Sequence, residues 1–233
     1  MKQKIIIRNI PVILWGEKSD CLFIAVHGNQ SHKEDDIISV FAECAISKGY
    51  QVLSFDLPDH GDRRAENIPC KVQNAMQDLA AVMSYAKTLS KNISVFACSM
   101  GAYFSLLSYK DESLKQALFL SPVVNMERLI QNMMVWFHVS EEQLQAEQEI
   151  VTPVGLVMYW DYYCYVKEHP IEKWNAPTAT LYGTKDDTVE RETIDAFTKQ
   201  FRAELSIIEN GEHYFHTPEQ LLYFSEWCKN VMH

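Results

Sequence analysis

Ala97-Cys98-Ser99-Met100-Gly101 follows an apolar run, Ile93 to Ala97, and precedes a helix-like segment, Ala102 to Leu107. A serine at a strand-to-helix turn is lifted clear of the backbone when the residues two before and two after it are small enough for the two elements to cross closely. Ala97 and Gly101 meet that condition. A hydroxyl so placed could attack a carbonyl carbon, but at neutral pH it needs a base, usually an imidazole oriented by a carboxylate. Two later stretches hold those groups. Gly183-Thr184-Lys185-Asp186-Asp187-Thr188-Val189 carries two carboxylates after a strand-like run, and Glu209-Asn210-Gly211-Glu212-His213-Tyr214-Phe215-His216 carries two imidazoles. Acyl transfer would also require two donors aimed at the developing oxyanion, for which backbone amides are the usual source.

The elements that must hold these residues alternate between Ile/Val/Phe-rich runs and segments of helical period, the pattern of a mostly parallel sheet covered on both faces. Lys4 to Arg8 and Pro11 to Trp15 read as an antiparallel hairpin, and Cys21 to His27 as the first buried strand. Asp36 to Lys48 places Ile37, Phe41, Cys44 and Ala45 on one helical stripe closed by Gly49. Gln51 to Phe55 is the next strand. A long helix is expected from about Pro69 to Leu89, strands at Gln116 to Leu120, Ala176 to Tyr182 and Glu204 to Ile208, and helices at Glu190 to Phe201 and Pro218 to Val231. Thr217-Pro218-Glu219-Gln220 carries a capping box with proline in the first turn of the last helix.

Val123 to Trp174 is far longer than a plain crossover between two parallel strands requires, and reads as an inserted helical cap on a single domain spanning residues 1 to 233. It holds an amphipathic start (Met126, Leu129, Ile130, Met133, Met134, Phe137), an acidic stretch from Glu141 to Glu149, and the aromatic run Tyr159-Trp160-Asp161-Tyr162-Tyr163-Cys164-Tyr165. Trp136, Tyr159, Trp160 and Tyr163 are candidates for a roof over a substrate pocket; the alternative is that such aromatics fasten the cap to the body.

Composition narrows the partners. With 233 residues, 47% of them hydrophobic, the chain can bury a sizeable core, and a formal net charge of -10 without a basic stretch argues against nucleic acid. Charge interrupts the first residues too early for the apolar region of a signal peptide, and no run reaches membrane-spanning length. Six cysteines without paired spacing suit free thiols in the cytoplasm. No motif specifies a cofactor, a metal or an oligomeric state.

Taken together, these stretches resemble the α/β-hydrolase fold superfamily, in particular small capped serine esterases and related peptidase-like hydrolases. Ala97-Cys98-Ser99-Met100-Gly101 is similar to the G-x-S-x-G elbow, with alanine for the first glycine. Gly183 to Val189 resembles the G-x-x-D-x-x-V loop, Val26-His27-Gly28-Asn29 the H-G-x segment, and Asp56-Leu57-Pro58-Asp59-His60-Gly61 the D-x-P-G-H-G loop, with Asp59 for glycine. The family order of serine, acid and histidine implies Ser99 as nucleophile, Asp186 rather than Asp187 as acid, and His213 rather than His216 as base. The oxyanion donors implied are the amides of Met100 and Asn29, with Gln30 as the alternative to Asn29. The resemblance assigns no catalytic role to Asp56 or His60. Arg63 and Arg64 could meet an anionic substrate group, but the expectation is that they lie at the solvated surface. The expected reaction is hydrolysis of a carboxylic ester of a small or medium acyl substrate without a cofactor. A peptidase or thioesterase with the same triad, or a non-catalytic ligand-binding relative, are the alternatives.

Overall fold

The computed structural model describes residues 2 to 233. Its first two strands, β1 (Lys2–Ile7) and β2 (Ile10–Trp15), form an antiparallel hairpin in which Ile7 pairs with Ile10. There follow β3 (Cys21–Val26), α1 (Asp36–Ser47), β4 (Gln51–Phe55), α2 (Val72–Leu89), β5 (Asn92–Cys98), α3 (Met100–Ser108) and β6 (Ala117–Leu120). After β6 come α4 (Met126–Trp136), α5 (Glu141–Glu147), a small hairpin of β7 (Glu149–Val151) and β8 (Val157–Tyr159), and α6 (Trp160–Glu168). The chain closes with β9 (Thr178–Lys185), α7 (Arg191–Phe201), β10 (Glu204–Glu212) and α8 (Pro218–Val231).

Eight strands make one sheet in the order β1-β2-β4-β3-β5-β6-β9-β10. Pairing is antiparallel for β1 with β2 and β2 with β4, and parallel from β4 through β10. The fold class is therefore α/β with a mostly parallel central sheet and helices on both faces. Because both faces are covered, the inner strands are apolar on both sides rather than alternating with polar residues. Phe96 of β5 stacks on Phe41 of α1 with ring centroids 4.0 Å apart and lies 5.6 Å from Phe224 of α8. Its neighbours Val95 and Ala97 point the opposite way, into the apolar cluster that includes α2 and α3.

The segment between β6 and β9 is joined to the body by the same apolar cluster, to which Ile130, Met134, Leu144, Met158, Tyr162 and Val166 contribute. Polar ties reinforce it. Lys71 Nζ lies 2.9 Å from Asp161 and 4.1 Å from the centroid of Tyr159, and Arg128 meets both carboxylate oxygens of Glu190 at 2.8 and 2.9 Å. Among the described residues no helix is long and apolar enough to cross a membrane.

β9 and β10 both run past the ends that apolar patterning suggests, and this matters for the site. A Cβ on Gly183 would lie 2.2 Å from the carbonyl oxygen of Gly211, so only glycine lets these strand ends approach so closely. β10 bulges between Ile208 and Glu212, with Asn210 at φ +59°, before pairing again through Glu212 and Lys185. The bulge delivers residue 213 beside the loop that carries residue 186.

Candidate active site

Ser99 stands between β5 and α3 with φ 48° and ψ -120°, a conformation rare for a residue with a side chain. The surroundings hold it there. Its N–H donates to Leu120 O at 3.0 Å, and its carbonyl accepts from the amides of Ala102 and Val123, each at 3.0 Å. A Cβ on Gly101 would lie 2.3 Å from His27 O, which makes glycine necessary at that position. Ala97 is fully buried, so the methyl that departs from the glycine pattern fills core rather than obstructing the turn.

Ser99 Oγ lies 2.8 Å from His213 Nε2, and His213 Nδ1 lies 2.8 Å from Asp186 Oδ2. The carboxylate can only accept, so Nδ1 carries the ring proton and Nε2 offers a lone pair to the serine hydroxyl. Asp186 Oδ1 meanwhile accepts from the amides of Thr188 and Val189 at 3.0 and 2.8 Å. These bonds fix the carboxylate, whose side chain is wholly buried, while the imidazole remains 18% exposed. A buried and oriented acid behind a partly open base allows proton transfer at the serine and access from outside.

The neighbouring candidates are not brought in. Asp187 is exposed and meets only the Thr188 hydroxyl, at 3.2 Å. His216 directs Nδ1 to Tyr214 O at 2.8 Å, stacks on the Tyr214 ring, and is half exposed.

Met100 is the first residue of α3, where the amide has no partner within the helix, and this points a donor toward the serine side of the turn. Opposite it, Gly28 packs so closely that a Cβ there would be 3.2 Å from Ser99 Cβ. Asn29 follows and is exposed. The N–H of Gln30 is instead directed to His60 Nε2 at 3.1 Å.

The aromatic side chains of the segment between β6 and β9 have other contacts. Tyr163 is buried, donates its hydroxyl to Glu141 at 3.1 Å and packs on Trp160, while Lys71 covers Tyr159. Trp136 is 46% exposed at the end of α4. These contacts fasten the segment internally and to Lys71, which precedes α2.

The loop after β4 holds residues whose importance spacing alone does not reveal. The fully buried carboxylate of Asp56 accepts from Lys33 N at 2.9 Å, Lys33 Nζ at 2.6 Å and Asp62 N at 2.9 Å. Gly61, at φ +52°, is pressed against it: a Cβ would sit 2.3 Å from that carboxylate. Arg63 is not at the solvated surface. It is buried, bonded to Asp56 O, Glu66 and Asp78, because the loop turns its guanidinium inward onto α2. The resemblance of Asp56 to Gly61 to the D-x-P-G-H-G loop marks this stretch, but it carries no indication of the Lys33 and Arg63 contacts.

Burial also raises the Cys98 thiol well above its ordinary range, so this neighbour of Ser99 is held as an uncharged packing group. All six cysteines are free. Among the described residues no group of three or more His, Cys, Asp or Glu side chains forms a metal-binding cluster.

No protein-family model matches the chain, and no curated protein sequence matches it. Solved structures do. Est1E from Butyrivibrio proteoclasticus, determined with ferulic acid bound, superposes with a TM-score of 0.81 at 22% identity, covering 99% of this chain and 97% of that one. Mouse alpha/beta hydrolase domain-containing protein 10 gives 0.77 at 13% identity, covering 100% and 98%. The Pyrococcus furiosus esterase Pf2001 gives 0.70 at 20% identity, covering 99% and 89%. The chain has the α/β-hydrolase fold.

Proposed function

We propose that the protein is a serine hydrolase acting on carboxylic esters of small or medium acyl groups. The observation that carries this reading is the continuous relay from Ser99 Oγ through His213 to Asp186, two contacts of 2.8 Å with the tautomer set by the carboxylate.

In this mechanism His213 Nε2 removes the Ser99 proton as Oγ bonds to the substrate carbonyl carbon. The carbonyl π electrons move onto oxygen, which the amides of Met100 and Asn29 stabilise. Collapse of the tetrahedral intermediate breaks the bond to the alkoxy group, which leaves with the proton from His213. Water then attacks the acyl carbon and gives a proton to His213; collapse of this second tetrahedral intermediate breaks the bond to Ser99 Oγ, which takes the proton back from His213 as the carboxylic acid leaves. Asp186 orients the ring and stabilises the imidazolium without itself taking a proton.

Est1E was determined with ferulic acid, a hydroxycinnamic acid. That makes feruloyl esters a reasonable class to include beside simple alkyl esters. The six free thiols are compatible with a cytoplasmic setting.

The test is a panel of p-nitrophenyl esters of increasing acyl length, a methyl hydroxycinnamate, aminoacyl anilides and acyl thioesters. Ester turnover exceeding the other classes in kcat/KM supports the proposal. Preferential anilide or thioester cleavage replaces it with the peptidase or thioesterase alternative.

A further inference from the structure

The loop after β3 (residues 27–33) and the loop after β4 (residues 56–62) are joined by two imidazoles acting in opposite directions. His27, in the first loop, accepts at Nε2 from the N–H of Leu57 in the second, at 3.0 Å. His60, in the second, accepts at Nε2 from the N–H of Gln30 in the first, at 3.1 Å. The rings lie 5.2 Å apart.

Their tautomers follow from the other nitrogen. His27 Nδ1 is 2.7 Å from Gly28 O, and His60 Nδ1 is 2.7 Å from Pro58 O. A carbonyl oxygen only accepts, so both Nδ1 atoms are protonated and both rings are neutral, with the Nε2 lone pair directed across to the other loop. Burial favours the same state, lowering the pKa of His27 to about 3 and that of His60 below its ordinary value. The Asn29 side-chain Oδ1 lies 3.2 Å from His60 Nε2. Because Nε2 carries no proton and already accepts from the Gln30 N–H, the amide is assigned in the opposite sense, with its NH2 group toward the ring.

This clasp separates the two amides that could serve an oxyanion. Gln30 is held at φ +57° with its N–H committed to His60. Asn29 lies between that anchor and Gly28, which is pressed against Ser99.

Resting on the serine-hydrolase reading above, we propose that His60 is a positioning residue for the oxyanion site. By holding Gln30 in its left-handed turn, it makes the amide of Asn29, and not that of Gln30, the second donor. His60 acts through the loop and touches no reacting atom.

Two substitutions separate this role from general packing. Glutamine can place an acceptor near the Nε2 position, whereas asparagine reaches only as far as Nδ1. On p-nitrophenyl acetate, H60N is expected to lower kcat at least about tenfold with KM changed less than about twofold, because loss of an oxyanion donor appears in the transition state. H60Q is expected within about threefold of wild type on the same grounds. Equal kcat in H60N and wild type, equal losses in the two variants, or a change confined to KM overturns the proposal.

A measurement on wild type keeps the question decidable if H60N does not fold. In 15N-labelled protein, reaction of Ser99 with a fluorophosphonate should shift the Asn29 and Met100 amide resonances most, while Gln30 remains slow to exchange; a dominant shift at Gln30 overturns the proposal. A wild-type protein that takes no fluorophosphonate label overturns the hydrolase reading and this proposal with it. A labelled wild type with an unaffected H60N overturns this proposal alone.

Discussion

Gly101 of α3 and His27 at the end of β3 meet so closely that a Cβ on the glycine would lie 2.3 Å from the histidine carbonyl oxygen. That approach lets α3 start directly beneath the serine, and both partners are backbone, which cannot rotate away. Gly101→Ala should therefore destabilise the fold by at least about 1–3 kcal/mol, the usual cost of overpacking, and reduce reaction of Ser99 with fluorophosphonate. Urea unfolding and labelling rate report the two effects. Ala97→Gly, at the position where the pattern has glycine, should cost only about 1 kcal/mol and leave labelling intact, because it removes a packed methyl from a strand.

Asp56 unites the loops behind the site. In Asp56→Asn the amide oxygen can still accept from Lys33 Nζ and the Asp62 N–H, but the NH2 group must then face the Lys33 N–H, donor against donor at a fully buried position, and the Lys33 ammonium loses its buried counter-charge. Lys33 keeps Asp62 at 2.7 Å, so the loss should fall near about 3 kcal/mol, the lower end for a broken buried pair. Equilibrium unfolding in urea measures it; a change under about 1 kcal/mol would contradict the central role of this carboxylate.

The two clasp histidines make stability depend on pH. Burial lowers both pKa values, His27 from 6.5 to about 3, with His60, Asp56 and His32 around His27, and Asp59, Arg64 and Asp56 around His60. Below pH 6.5 the unfolded chain takes up protons at these rings while the folded protein does not. Stability is therefore fully present above that pH and is lost as pH falls toward the folded values. The expected slope is about 1.4 kcal/mol per pH unit for each histidine that is charged unfolded and neutral folded. Unfolding free energies between pH 7.5 and 5 check this, and H60Q should flatten the profile. A flat wild-type profile would contradict two neutral buried rings.

Asp186 and Asp187 should separate sharply. Asn at 186 keeps an oxygen for the amides of Thr188 and Val189 but no longer enforces the Nδ1–H tautomer of His213, so D186N should fold while kcat falls by about three to four orders of magnitude. D187N, on an exposed side chain, should stay within about twofold, as surface changes usually do. Steady-state kinetics on p-nitrophenyl acetate distinguishes them.

Apolar patterning and end signals made the scaffold legible. α1 begins at Asp36 and α8 spans Pro218 to Val231 with its capping box formed, as their sequences indicate. Ends set by backbone contacts were less legible. α2 starts at Val72 rather than near Pro69, with Lys71 still extended and turned toward Asp161 of α6. β10 continues to Glu212 through a bulge that no apolar alternation marks. The β7–β8 hairpin has strands of three residues, too short to carry a period. Around Ser99, the resemblance to the family's motifs and their order implied Asp186 and His213, the two side chains that the fold places in line with the serine hydroxyl. The clasp escaped it because His27 and His60 acquire their partners only when two loops some thirty residues apart pair across β3 and β4.

The central claim is that Ser99 is a nucleophile activated by His213. Intact-mass spectrometry after incubation with a fluorophosphonate tests it most directly, on wild type, S99A and H213A proteins shown to be folded by circular dichroism. One adduct on wild type, mapped to the Ser99 peptide, absent from S99A and strongly slowed in H213A, is the predicted result. A folded wild-type protein that stays unlabelled, or an S99A protein that labels as readily, would contradict it.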